Sequence, residues 1–308
     1  MRRLALISDL HADINRFSDD ELELLAHILK QAEVDHLHLA GDIANKTARA
    51  LAIVDFFRTR GLNTTFNWGN HEMADLTEKT IEAYPSPAFL NLQTWPLTEE
   101  TVLLGYNGWY DYLFAADYNP EKIRQLKQLY WYDRVIPRKG SDPEVEARLR
   151  GRLKLVLDQL QMDNKKVILA THFVPKREFI VYQEKPEFLR WNDLNAFLGS
   201  AELGELLDRY DNVTNCVFGH THRRFADHLL QGTRYSCRPL GYFFEWELTK
   251  AFVFENELVT EYRPAKLRSV LKKHQEAFAA YRKEHLAEEF RKGMTIIDIP
   301  EAAIKTAR

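Results

Sequence analysis

Aspartate, asparagine and histidine side chains follow five predicted strands of this chain, often beside a glycine. The five segments are Asp9-Leu10-His11, Gly41-Asp42, Gly69-Asn70-His71, Thr171-His172 and Gly219-His220-Thr221-His222. Because the carboxyl ends of the strands line up along one edge of an α/β fold, we expect these side chains to converge in space. Carboxylate, imidazole and amide ligands without a thiolate suit divalent Mn, Fe, Zn, Ni or Co. The sequence therefore predicts a metal site at the strand ends.

Two features of these segments favour a polynuclear site. Two cations about 3.5–4 Å apart repel each other unless an anionic ligand bridges them, and a carboxylate with two oxygens is the natural bridge. Glycine precedes Asp42, Asn70 and His220, where it allows the backbone to turn sharply and approach a ligand closely. We therefore expect one aspartate to be shared between two cations.

The ordered series D-x-H, G-D, G-N-H-E, H and G-H-x-H resembles that of the calcineurin-like metallophosphoesterases and covers residues 4 to about 225. The resemblance implies an α/β fold: a four-layer α/β sandwich with two facing mixed β-sheets. It also implies two divalent metal ions. The first would be held by Asp9, His11, Asp42 and His222, and the second by Asp42, Asn70, His172 and His220. Asp42 would be the bridge, and His71 would be the catalytic acid.

The implied reaction is hydrolysis of a phosphoester by a metal-bridging water or hydroxide. Two metals polarise the phosphoryl oxygens and lower the pKa of a shared water. With an ordinary pKa near 6.5, His71 can protonate the leaving oxygen at working pH, which typically contributes about 10²–10⁴-fold to the rate.

One position departs from the protein-phosphatase branch of the family, in which the second block reads G-D-x-x-D. Asn45 stands in the place of the second aspartate. An amide accepts a hydrogen bond but carries no charge, so it favours the imidazolium form of His71 less, unless Asp75 or Glu72 substitutes. The departure favours a phosphodiesterase-like enzyme over a protein phosphatase.

The elements that must position these residues alternate between strand and helix along the first two thirds of the chain, which is typical of α/β architecture. After residue 233 the pattern predicts antiparallel strands at 234–237, 243–248, 251–254 and 257–262, and then a charged helix at 264–292. We expect a catalytic domain at 1–263, including an insertion at about 106–165 near the active site. A helical extension at 264–308 would offer a surface for an oligomer.

The insertion is rich in tyrosine and tryptophan. It predicts either a hydrophobic core or a wall for a flat group of the substrate, with Trp109 and Tyr110 as the leading substrate-binding residues. Arg223, directly after the last ligand, is a candidate for contact with the substrate phosphate.

Composition sets the remaining expectations. Apolar residues make up 45% of the 308 residues and the net charge is −3, which is typical of a globular protein and argues against a nucleic-acid partner. No signal or membrane segment is predicted, and Cys216 and Cys237 are expected to be reduced core residues of a cytoplasmic protein. The expected substrate is a small-molecule phosphodiester or phosphomonoester, including nucleotides, and manganese is among the candidate metals. A nuclease and a non-catalytic metal-binding scaffold on the same fold remain alternatives.

Overall fold

Two mixed β-sheets face each other in the computed structural model, which describes residues 1–300. The first sheet has the strand order β10-β1-β2-β3, and the second has the order β4-β5-β6-β7-β9-β8. The strands are β1 Arg2–Ile7, β2 His36–Ala40, β3 Asn63–Asn67, β4 Gln93–Pro96, β5 Thr101–Tyr106, β6 Lys166–Thr171, β7 Val213–Phe218, β8 His228–Leu230, β9 Thr233–Cys237 and β10 Thr295–Ile299. Three neighbouring pairs are antiparallel, namely β1 with β10, β4 with β5 and β8 with β9, and the others are parallel.

Helices cover the outer faces of the two sheets, so the expected four-layer sandwich is confirmed. The helices are α1 Asp19–Gln31, α2 Thr47–Thr59, α3 Asn70–Met73, α4 Glu78–Glu82, α5 Pro120–Tyr130, α6 Asp142–Met162, α7 Arg190–Leu194, α8 Ala201–Leu207, α9 Glu247–Glu255, α10 Pro264–Lys273 and α11 Gln275–Lys292. Short 3₁₀ turns lie at Tyr132–Val135, Arg177–Phe179, Pro186–Phe188 and Asn195–Phe197.

Strand β1 shows how the sequence builds these layers. Leu4 and Leu6 lie in the cluster between the sheets, whereas Ala5 and Ile7 belong to the larger core that includes the helices. Successive strand side chains point to opposite faces, and a strand covered on both faces is apolar throughout. Both faces of β1 are therefore fixed by packing just before the chain reaches Asp9.

The prediction of four antiparallel strands after residue 233 is wrong in part. Residues 234–237 lie in β9 as expected, but residues 247–255 form the helix α9. Leu248, Thr249, Phe252 and Val253 are its buried residues, a spacing of three and four that fits a helix. Residues 257–262 form no strand in the described structure.

The expected single helix at 264–292 is divided into α10 and α11, because His274 leaves the helical conformation at φ −119° and ψ 33°. The predicted helical extension at 264–308 also contains a strand, since Thr295–Ile299 form β10 and pair with β1. Residues 301–308 of the predicted extension lie outside the described residues, and the domain division at 263 stays a prediction. No helix among residues 1–300 is long and apolar enough to cross a membrane.

Candidate metal centre

The loops that follow the strands are held together by backbone hydrogen bonds. The Asp9 amide donates to the Gly41 carbonyl at 3.1 Å, and the His11 amide donates to the Asp42 carbonyl at 2.9 Å. Five of the seven predicted ligands have a left-handed φ between 42° and 67°, a conformation that non-glycine residues rarely adopt. They are Asp9, His11, Asp42, His220 and His222. Such strain persists only where the surrounding structure imposes it, and it is concentrated at functional sites.

The structure brings all seven predicted ligands together. Ligand atoms of Asp9, His11, Asp42 and His222 lie within 4.8 Å of one another, as do those of Asp42, His172 and His220. The Asn70 Oδ1 lies 3.1 Å from the His172 Nε2 and completes the second group. These are the two sets that the family resemblance implies, with Asp42 common to both; that they bind metal stays a prediction.

Hydrogen bonds fix the tautomers of three of these histidines. His172 Nδ1 donates to the Ala40 carbonyl at 3.2 Å, and His220 Nε2 donates to the Phe197 carbonyl at 3.1 Å. His222 Nδ1 donates to the Glu245 carboxylate at 2.8 Å. Because these oxygens only accept, the bonded nitrogen of each ring carries a proton, and the other ring nitrogen faces the cluster, where it can bind a cation once it has lost its own proton. All three rings are therefore oriented as metal ligands.

Asp42 carries the clearest sign that a cation belongs here. Its buried Oδ2 lacks a hydrogen-bond partner among the described residues, although the Nε2 atoms of His172, His11 and His71 lie 3.4, 3.6 and 3.7 Å away. Burial opposes ionisation, but the surrounding imidazoles, His172 first, hold the Asp42 pKa well below its usual range. A buried, ionised carboxylate oxygen without a hydrogen-bond partner, surrounded by imidazole rings, fits the position of a divalent cation.

Two glycines allow the loops to touch the carboxylates. A Cβ built on Gly69 would lie 2.1 Å from the Asp42 Oδ1, and one built on Gly219 would lie 2.0 Å from the Asp9 Oδ2. Both glycines are therefore required for close approach, as the sequence predicts.

His71 lies at the edge of this cluster and is not grouped with either ligand set. Its Nδ1 contacts the Asn45 Oδ1, whereas Asp75 pairs with Lys46. Glu72 accepts from backbone amides at 2.8–3.0 Å, so neither carboxylate substitutes for the missing aspartate. Burial lowers the pKa of His71.

Sequence comparison assigns this constellation. The profile described as calcineurin-like phosphoesterase matches residues 2–224. The chain belongs to this family. Membership makes it a phosphoester hydrolase of a class that uses a dinuclear metal centre. No curated protein matches the chain.

Solved structures with this calcineurin-like fold include a phosphopantetheinyl hydrolase from Mycobacterium tuberculosis. It is 17% identical, with a TM-score of 0.55, and the match covers 80% of this chain and 91% of that one. A dimetal phosphatase from Danio rerio is 16% identical with a TM-score of 0.46, and the match covers 77% and 87% of the two chains. At these identities the likeness concerns the fold.

Four residues outside the predicted ligand set complete this calcineurin-like site, and one of them, Tyr132, lies in the aromatic insertion that the sequence predicts to be core or a substrate wall. Tyr132 stacks on His71 with ring centroids 4.7 Å apart and is 42% exposed. The Tyr242 hydroxyl lies 3.2 Å from the His71 Nε2. Asp133 and Glu245 accept hydrogen bonds from the ligands Asn70 and His222. Their common signal is a polar or aromatic residue in a loop outside the family motifs, which single-sequence spacing cannot distinguish from ordinary loop residues.

The structure places the predicted substrate-binding residues differently from the expectation. Trp109 and Tyr110 are 1% and 0% exposed, stack on each other at 4.5 Å and belong to the core. Trp109 also donates its indole N–H to Asp142 at 2.8 Å. A wall for the substrate needs an exposed ring face, so this part of the expectation is corrected in favour of a core role. Arg223 is exposed, and its contact with phosphate stays a prediction.

Proposed function

We propose that this protein is a metal-dependent phosphodiesterase that hydrolyses a small-molecule phosphodiester. The observation that carries the proposal is the placement of a proton donor beside the shared ligand: His71 Nε2 lies 3.7 Å from the Asp42 Oδ2, which both ligand sets include. A group that protonates the leaving oxygen must lie beside the reacting phosphorus, and the shared carboxylate marks that position.

The division of labour follows from the side chains. Two divalent cations would polarise the phosphoryl oxygens and lower the pKa of the attacking water. One cation would be held by Asp9, His11 and His222 and the other by Asn70, His172 and His220, and both sets would share Asp42.

His71 then transfers its proton from Nε2 to the leaving oxygen as the P–O bond breaks. Asn45 holds the other ring nitrogen, and Tyr132 covers one ring face. Because both neighbours are neutral, they orient the imidazole without adding charge.

The preference for a diester rests on the charge around the site. The side chains that contact the ligands and His71, in the part of the chain that the structure describes, include neither lysine nor arginine. They are Asn45, Glu72, Trp131, Tyr132, Asp133, Phe173, Tyr242 and Glu245. Two divalent cations would bring four positive charges, and the carboxylates of Asp9 and Asp42 together with a hydroxide nucleophile would offset three of them, so the excess positive charge would be one. It complements the single charge of a phosphodiester better than the two charges of a monoester.

Tyr132 replaces Trp109 as the proposed substrate contact. Its exposed ring lies next to His71, where the leaving group must depart. We also propose manganese as one of the metals and a cytoplasmic location, which the buried, free Cys216 and Cys237 support. We propose in addition that α10 and α11 offer a surface through which copies of this chain can form an oligomer.

The test compares bis-p-nitrophenyl phosphate with p-nitrophenyl phosphate on protein loaded with Mn²⁺. We expect kcat/KM for the diester to exceed that for the monoester by roughly tenfold or more, because the leaving group is the same and the diester carries a single negative charge. A preference for the monoester contradicts the diester assignment. Cleavage of DNA or RNA in preference to either ester indicates a nuclease, and bound metal without turnover indicates a scaffold.

His71→Ala tests the proton transfer. We expect both metals to stay bound. The rate should fall by about 10²–10⁴-fold on a 2′,3′-cyclic nucleotide, whose alkoxide leaving group needs a proton, and much less on the nitrophenyl diester. Equal losses on both substrates would argue against His71 as the acid.

A further inference from the structure

Asp133 is a fully buried carboxylate that connects the aromatic insertion to the metal ligands. It lies in the 3₁₀ turn Tyr132–Val135 and is 0% exposed. Its Oδ1 accepts a hydrogen bond from the Asn70 Nδ2 at 2.7 Å, and its Oδ2 accepts one from the Trp131 indole N–H at 3.0 Å. Both oxygens are thus occupied, one of them by a predicted metal ligand.

This contact decides which end of the Asn70 amide faces the cluster. A carboxylate only accepts, so the NH₂ end must point to Asp133, and the Oδ1 then points to the His172 Nε2 at 3.1 Å. The flipped amide would place two oxygens 2.7 Å apart and direct N–H groups at the cation position. Asp133 therefore fixes Asn70 as an oxygen ligand.

The two ligand sets differ in charge in a way that gives this contact a further role. The first set contains two carboxylates, Asp9 and Asp42, whereas the second contains only the shared Asp42. A carboxylate behind a neutral ligand makes that ligand a stronger donor to the metal. Asp133 supplies such a charge to the weaker set.

We propose that Asp133 is a positioning residue for the second metal ion, acting through Asn70 by orienting its amide and increasing the negative charge on its oxygen. The inference rests on the ligand sets of the proposed function but not on its substrate. It makes the insertion part of the metal centre, since an element outside the family motifs orients one ligand of the second set.

The test measures Mn²⁺ binding to the full chain by calorimetry and needs no substrate. For wild type we expect two equivalents. Asp133→Asn should weaken the second dissociation constant by roughly 10- to 100-fold and leave the first unchanged, the usual effect of removing a partner of a metal ligand. Wild-type protein that binds no metal would instead refute the proposed function, so the two failures are distinguishable.

Two further variants separate positioning from folding. Asp111→Asn removes another buried carboxylate of the insertion, which accepts from Ser200 at 2.9 Å, and should change the melting temperature without changing either metal constant. In the double variant Asn70→Asp with Asp133→Asn, the charge moves onto the ligand and the hydrogen bond reverses, which should restore the second constant to within roughly threefold of wild type. Unchanged metal binding in Asp133→Asn, equal weakening of both metals, or failure of the double variant to recover would overturn the proposal.

Discussion

Gly219→Ala should remove the first metal site by a displacement that the structure specifies. The added methyl would lie 2.0 Å from the Asp9 Oδ2 and 2.3 Å from the Ser8 Oγ. Since a Cβ contact below about 3 Å does not persist in packed interiors, the Asp9 carboxylate must move by about 1 Å. Both of its oxygens accept the His220 amide at 3.1 Å, and its Oδ1 lies 3.3 Å from the His222 Nε2.

A shift of that size exceeds what a metal site tolerates, because ligand distances are held to about ±0.2 Å. We expect the first metal to be lost and the second, which Asp9 does not ligate, to be retained. Overpacking costs roughly 1–3 kcal/mol, and the weakened charged hydrogen bond from the His220 amide costs roughly 1.5–3 kcal/mol. The variant should therefore also lose about 2.5–6 kcal/mol of unfolding free energy.

Plasma mass spectrometry measures the number of bound metal ions, and urea unfolding measures the free energy of unfolding. Both measurements are made on protein that has been chelated and then reloaded with metal. Gly151→Ala is the matched control: it lies in α6 with no atom within 4 Å of the added methyl and should be stabilised by about 0.5–1 kcal/mol. Gly69→Ala, whose methyl would lie 2.1 Å from the shared Asp42, should lose both metals. If Gly219→Ala binds two metals as wild type does, the reasoning about Asp9 is refuted.

Burial lowers the pKa of His38 to about 4, whereas the unfolded chain takes up that proton near pH 6.5. The unfolded state thus binds more protons between these two pH values, and the free energy of unfolding falls as the pH falls through that range. In urea unfolding without metal, wild type should lose about 2 kcal/mol more of this free energy between pH 7 and pH 5 than His38→Gln does. Identical pH slopes would contradict this. Trp109→Ala should cost about 3–5 kcal/mol of stability and reduce activity on every substrate, because it opens the core. Tyr132→Ala should keep the free energy of unfolding within about 1 kcal/mol of wild type and raise KM chiefly for substrates with flat leaving groups. If Trp109→Ala instead raises KM selectively and Tyr132→Ala destabilises the fold, Trp109 is the substrate contact.

The strand-end residues could be predicted because strand ends in an α/β sheet share one edge, so residue type and order suffice to indicate convergence. Asn45 could be identified from the sequence because it lies three residues after Asp42, within the same motif. Asp133 and Glu245 could not be found this way. Their positions depend on how the insertion and the loop after β9 pack, and that packing leaves no fixed spacing in the sequence.

The errors have a similar physical origin. The segment that became α9 is dense in aromatic and β-branched residues, which favour strands locally, but tertiary packing selects the helical face of Leu248 and Phe252. β10 could not be predicted from local sequence because the strand that it pairs with, β1, lies at the opposite end of the described chain. Trp109 and Tyr110 share the composition of a binding wall, and only their burial shows that they are core.

The pairing of β10 with β1 also bears on when the metal centre can form during synthesis. Among the described strands, β1, which leads into Asp9 and His11, is synthesised first, and its neighbour β10 is synthesised last. Until then β1 is an edge strand with unpaired N–H and C=O groups, open to pairing with other nascent chains. The strand that leads into Asp9 and His11 can therefore be paired on both edges only after β10 has been made, so this edge of the first sheet closes later than the loops that carry the predicted ligands.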